Sequence, residues 1–130
     1  MIVAMWLLTA LLALPSWSEP TAAEQMEGML TFYAPSTMEQ VAEYRGYAGP
    51  LEPVALMACG DLGRDVWLQI DGAWIEAHVV DCARRDHYAD RLAENKVAEV
   101  SWSLWVELDL PLAPVPVVVL FDSPPPVRWR

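Results

Sequence analysis

Two runs of strand-forming residues meet at Asp71-Gly72, and no other feature constrains the fold as much. Val66-Trp-Leu-Gln-Ile70 precedes the dipeptide, and Trp74-Ile-Glu-Ala-His-Val-Val80 follows it. β-Branched and aromatic side chains favour the extended backbone, and Asp-Gly accepts the left-handed conformations of a two-residue turn. Residues 66–80 therefore read as a β-hairpin. Further strands are predicted at Met29–Tyr33, Val54–Ala58, Ala98–Val100 and Val117–Phe121. Pro35 stops the first of these. Ser36-Thr-Met-Glu39 then has the form of a capping box, which predicts a short helix to about Tyr44. Gly46, Gly49, Pro50 and Pro53 mark a loop. The charged stretch Arg84–Lys96 reads as an exposed loop. Ser101 is placed to cap a second helix across Trp102 to Leu108, and Pro111, Pro114 and Pro116 end it. The sum is a mainly β chain of about six short strands with one or two short helices, which suggests a small closed barrel rather than a layered α/β sheet.

A chain of 130 residues with 55% hydrophobic residues has room for one packed domain. Its formal charge of -10 repels nucleic-acid phosphates and anionic lipid head groups, so neither is expected as a partner. Met1 to Leu14 carries no charged side chain, and its apolar run of roughly a dozen residues falls short of the about 20 that span a bilayer. It fits the core of a secretory signal, with Ser16-Trp-Ser18 as a small-x-small cleavage site and Ala22-Ala23 as a later one. The basic flank of such a signal is missing, so a retained N-terminal anchor is the alternative. The expected organisation is a signal over residues 1–18, a linker over 19–28, the barrel over 29–121 and a loose tail over 122–130. No stable membrane insertion is expected after cleavage, and the chain reads as a secreted monomer.

Cys59 and Cys82 are the only two cysteines. In an oxidising compartment they are expected to pair, and closing a loop of this length stabilises by roughly 2–4 kcal/mol. Two buried thiols acting as small apolar residues are the alternative.

Several short motifs occur in a telling order: Thr31-Phe-Tyr33 on the opening strand, Leu62-Gly63 before Val66, Val79-Val-Asp81 at a strand end, Glu99-Val-Ser101 before a helix, and Val117–Phe121 last. Over roughly residues 29–121 this order resembles the double-psi β-barrel domains of rare-lipoprotein-A-like proteins, expansins and barwin-like proteins. The chain departs from that pattern at Cys82-Ala-Arg84, where the family often has Arg-Gly-Pro, and at Glu99, where an aspartate is usual.

The resemblance implies a six-stranded double-psi β-barrel, a cell-wall polysaccharide of the peptidoglycan type as partner, and Asp81 as acid and then base. In that chemistry a carboxyl protonates the glycosidic oxygen and then takes the proton of the sugar's own 6-hydroxyl as that oxygen attacks, leaving an anhydro product. A carboxyl doing this is held protonated by apolar surroundings. Glu99 is the expected second acid, since paired carboxylates flank a glycosidic bond in hydrolytic sites. The resemblance also puts Thr31 and Tyr33 near the groove. Among the seven tryptophans, Trp67 and Trp74 are candidates for stacking on sugar rings, whereas Trp102 and Trp105, three apart on a helix, fit the core better.

Asp81 bonding loop amides and Glu99 pairing with Arg84 or Arg85 are the structural alternatives. His78, Asp86, His87 and Asp90 have neither zinc nor calcium spacing, so no metal is expected. No Gly-x-Ser-x-Gly element and no phosphate-cradling glycine loop occurs, and no cofactor is expected. Two further functions stay open: a non-catalytic, expansin-like wall-binding module, and a secreted interaction or inhibitor module that uses the 84–96 loop.

Overall fold

In the computed structural model, which describes residues 25–83 and 88–121, the hairpin is one part of a closed barrel. The chain runs through β1 (Gln25–Phe32), α1 (Thr37–Tyr44), β2 (Glu52–Leu56), a 3-10 turn (Cys59–Asp61), β3 (Asp65–Ile70), β4 (Ala73–Cys82), α2 (Tyr88–Ala93), β5 (Lys96–Val100), α3 (Trp102–Glu107) and β6 (Val115–Phe121). Around the barrel the strand order is β1-β5-β2-β4-β3-β6. Closure leaves no strand edge unpaired, which suits a small all-β core in water.

The period-2 pattern puts alternate residues inside. Val66, Leu68 and Ile70 of β3 are buried, and Trp67 and Gln69 face outward. Asp71 and Gly72 both take positive φ, 50° and 84°, as a primed two-residue turn requires. Leu30, Val54, Val79, Val100, Val117 and Val119 join β3 in the main core. Trp105, 1% exposed, and Leu104 plug one side of it from α3, and Phe32 packs at 5.0 Å from Trp102 and 4.8 Å from Trp105. Ser101 caps α3 by accepting a hydrogen bond from the Leu104 N–H at 3.0 Å, as the sequence predicts.

Two strand pairs are parallel, β1 with β5 and β2 with β4, and the others are antiparallel. Each parallel pair holds one extra residue. Val54 pairs with Val79 and Ala55 with Asp81, so Val80 is the extra residue in β4. Met29 pairs with Lys96 and Leu30 with Ala98, so Val97 is the extra residue in β5. Val80 turns to the outside, where Met38 and Ala42 of α1 and Ala55 bury it in a second, smaller cluster.

Several elements differ from the sequence reading. β1 begins at Gln25, because residues 25–28 pair with Val117–Leu120 rather than forming a linker. Ser36 does not cap α1: it adopts φ 72° and its side chain makes no cap hydrogen bond, while Glu39 accepts from the Ser103 hydroxyl instead. Part of the expected 84–96 loop is helix α2, and β5 already starts at Lys96. β6 starts at Val115 and includes Pro116, which lies where β6 runs past Ile70, the last residue of β3, and so needs no ladder N–H on that side. The expected signal and C-terminal tail lie outside the described residues. Among those described, no helix is long and apolar enough to cross a membrane.

Gly28 faces the Val97 bulge. A Cβ there would meet Val97 Cγ1 at 2.5 Å and the Asn95 carbonyl oxygen at 2.8 Å, and that oxygen already accepts from the Met29 N–H. Overpacking of this kind typically costs 1–3 kcal/mol. Gly28→Ala is expected to lose about that much in urea denaturation, while Gly60→Ala, whose Cβ meets nothing, stays within about 0.5 kcal/mol.

Glu52 of β2 is pushed up from its ordinary value by burial, then by Glu107 and Glu39. The folded state therefore holds its proton more tightly than the unfolded chain. That contribution is complete below about 4.5, the ordinary glutamate value, and fades as pH rises through the folded value. Glu52→Gln should raise Tm at neutral pH, and the gain should shrink in melts at progressively lower pH.

Candidate functional site

The two bulges aim a row of side chains across four strands. Thr31 is in register with Glu99, Glu99 with Ala55, and Ala55 with Asp81. Residues in register across neighbouring strands share a face of the sheet. The row therefore reads Thr31, Glu99, Ala55, Asp81 across β1, β5, β2 and β4. Asp81 and Glu99 lie two strands apart, roughly 9–10 Å between their backbones. Ala55, 4% exposed, is the floor between them, and its methyl group leaves the space above open.

That space is a hollow of about 320 Å³, lined by Tyr33, Ala55, Asp81, Arg91, Lys96 and Glu99 among others. Tyr33 enters it because its N–H continues the β1–β5 pairing by donating to the Val100 carbonyl at 2.9 Å. A second hollow of about 430 Å³ adjoins, and Phe32, Arg91, Lys96 and Glu99 line both. Thr31 and the exposed Leu112 belong to this second hollow.

Among the described residues, each carboxylate has one hydroxyl and one guanidinium partner. The Tyr33 hydroxyl donates to Asp81 Oδ2 at 2.6 Å, and Arg45 Nη2 stands 3.5 Å from Oδ1. The Thr31 hydroxyl donates to Glu99 Oε2 at 2.9 Å, and Arg91 Nη1 lies 2.9 Å from Oε1. All four partners are donors, so both carboxylates stand as acceptors. The Tyr33 phenol is raised far above its ordinary value. Burial is the largest cause, followed by the hydrogen bond to Asp81 and the charges of Asp81 and Glu99, with Arg91 opposing them. Tyr33 therefore keeps its proton across the physiological range and stays a donor.

Comparison with known proteins finds no matching family model, no matching curated protein and no matching solved structure. The chemistry of the groove rests on its own side chains.

Cys59 and Cys82 are bonded to each other. Cys82 follows Asp81 directly and lines the first hollow, so the bridge ties the acid's end of β4 to the 3-10 turn after β2. Of the residues singled out in the sequence, Asp81, Glu99, Tyr33 and Thr31 converge. Trp67 and Trp74 stand elsewhere, on the outer face of the β3–β4 hairpin opposite Glu76 and Gln69, and line neither hollow. His78 also faces outward, bonded to Asp65 at 2.7 Å and stacked on Tyr47 with ring centroids 4.3 Å apart. Asp86 and His87, like Arg84 and Arg85, lie outside the described residues. Among those described, no group of His, Cys, Asp or Glu side chains is arranged to hold a metal ion.

Arg45, Arg91 and Lys96 were not singled out from the sequence as parts of the site. Arg91 reaches Glu99 because residues 88–93 are helical, and a charge-rich stretch carries no apolar periodicity to announce a helix. Arg45 sits just past α1, where only the tertiary packing of that helix brings it to Asp81.

Ultraviolet titration of the phenols should leave Tyr33 protonated well above about 10, where an ordinary tyrosine ionises. Asp81→Asn should bring its value down without restoring the ordinary one, because burial, the larger cause, remains.

Proposed function

We propose that this protein is a secreted glycan-binding barrel whose groove holds a cell-wall polysaccharide of the peptidoglycan type. The observation that carries this reading is the convergence of Asp81, Glu99 and Tyr33 on one open groove from β4, β5 and the end of β1. A sugar presents hydroxyls that both donate and accept. The groove offers carboxylate acceptors, hydroxyls and guanidinium donors along one row, with Leu112 and Phe32 supplying apolar contact in the adjoining hollow. The double-psi form of the barrel is part of the proposal, supported by two parallel strand pairs, each with a bulge, within one closed sheet. Secretion is supported by the disulfide, since such bonds persist in oxidising compartments, and by the apolar Met1–Leu14 run.

The acceptor role of both carboxylates favours binding over cleavage. The Tyr33 hydroxyl and the Arg45 guanidinium both offer donors to Asp81, an arrangement that suits an acceptor. A second reading, lytic cleavage with Asp81 as acid and then base, draws on one observation. Arg45 is 40% exposed and 3.5 Å from Asp81, so a glycan entering the hollow has an arginine it can displace. Asp81 Oδ1 would then be open to the glycan.

Sedimentation with purified peptidoglycan, followed by mass spectrometry of the soluble products, separates the two. The binding reading expects the protein in the pellet, no anhydro-sugar ends, and retention that weakens up to about tenfold in Asp81→Asn or Glu99→Gln, equivalent to about 1.4 kcal/mol. Anhydro ends that vanish in Asp81→Asn would establish cleavage instead. A wild-type protein that stays in the supernatant would refute both.

A further inference from the structure

The groove gathers most of the positive charge the structure describes. Among the described residues the cations are Arg45, Arg64, Arg91 and Lys96, in a chain whose net charge is -10. Arg64 lies against Asp61 and over the Phe121 ring. The other three stand at the groove: Arg45 on Asp81, and Arg91 and Lys96 lining both hollows.

From this placement we propose that Arg91 and Lys96 bind a carboxylate carried by the glycan, so that the groove selects acidic polysaccharides over neutral ones. The inference rests on the glycan-binding reading above and names the feature of the glycan that is recognised.

The two cations differ in how they are held. Arg91 Nη1 is engaged with Glu99, and its planar fork carries further N–H donors suited to a carboxylate. Lys96 Nζ pairs with Glu94 Oε1 at 3.0 Å, but the Glu94 side chain is 59% exposed. A rim pair of this kind is worth at most about 1 kcal/mol. The ammonium can therefore exchange Glu94 for a ligand carboxylate at little cost. Its backbone is fixed meanwhile, because Lys96 is in register with Met29 at the start of β5.

The opposing charges in the groove are Asp81 and Glu99 in the first hollow, with Asp90 and Glu94 added at the second. Arg45 stands against Asp81 and Arg91 is paired with Glu99, which leaves the Lys96 ammonium as the cation whose carboxylate partner is most exposed to water. Over the rest of the surface the acidic excess repels anions, so an acidic ligand meets least repulsion where the cations cluster. A concave wall of protein strengthens the attraction to those cations relative to open water.

The test is calorimetric titration with two probes: peptide-free peptidoglycan strands, and the same strands with their carboxyl groups reduced to alcohols. At low ionic strength the wild-type protein should bind the carboxylate strands at least tenfold tighter than the reduced ones, and added salt should narrow the gap. Lys96→Gln should bring the two affinities to within about threefold, and Lys96→Arg should keep most of the preference. Equal affinities in the wild-type protein would overturn the inference and leave the glycan reading standing. A full preference retained by Lys96→Gln would remove Lys96 from the recognition. Binding of neither strand would overturn the glycan reading together with this one. The wild-type comparison needs no variant, so it stands even if a substitution perturbs folding.

Discussion

Accommodating one extra residue in each of two parallel strand pairs is the constraint on which the site depends. Parallel neighbours hydrogen-bond evenly, and an extra residue resets which side chains point outward from there on. Val80 does this in β4 just before Asp81, and Val97 does it in β5 shortly before Glu99. Both carboxylates thereby reach one face, on either side of the Ala55 methyl. With unbroken pairing in either strand, the period-2 rule would put one acid on the opposite side of the sheet. The core accepts both irregularities because each is backed by packing: Val80 by α1, and Val97 by the bare backbone of Gly28.

Much of the fold was legible because its signals are local. The Asp71-Gly72 turn needs only two residues able to adopt positive φ, and Ser101 needs only a hydroxyl three residues ahead of the Leu104 N–H. The closed six-stranded barrel followed from strand count and the lack of long helices. Ser36 illustrates the limit of such reasoning. Its spacing to Glu39 has the capping form, yet its backbone is left-handed and Glu39 is drawn to Ser103 on a distant helix. The bulges were illegible for a related reason. Val79-Val80 and Val97-Ala98 look like continuous strand, and only the partner strand reveals that one of each pair is out of step.

The candidate site was legible in half. Asp81, Glu99, Tyr33 and Thr31 were found through the order of motifs, and the row they form is geometric. Their cationic partners were not found, because net charge is a sum and hides where the few positive groups sit. A chain of -10 suggests a surface hostile to anions throughout. The folded molecule is uneven: α2 carries Arg91 to Glu99, the turn after α1 carries Arg45 to Asp81, and Lys96 opens β5 between the two hollows. The tryptophans separate from this row. Trp67 and Trp74 are candidates for stacking on sugar rings, and the alternation of the hairpin sends them to the barrel's outer surface, away from both hollows.

The sulfur bridge has a consequence of another kind. It joins Cys59 to Cys82 across a sequence separation of 23, and the enclosed chain contains the whole β3–β4 hairpin. That hairpin is thus a covalent ring, and Asp81 lies just inside its closure. A protease that cuts the exposed turn at Asp71-Gly72 opens the ring without releasing a fragment. The strand bearing the acid stays fastened to the turn that follows β2, so a nicked molecule keeps its groove wall attached.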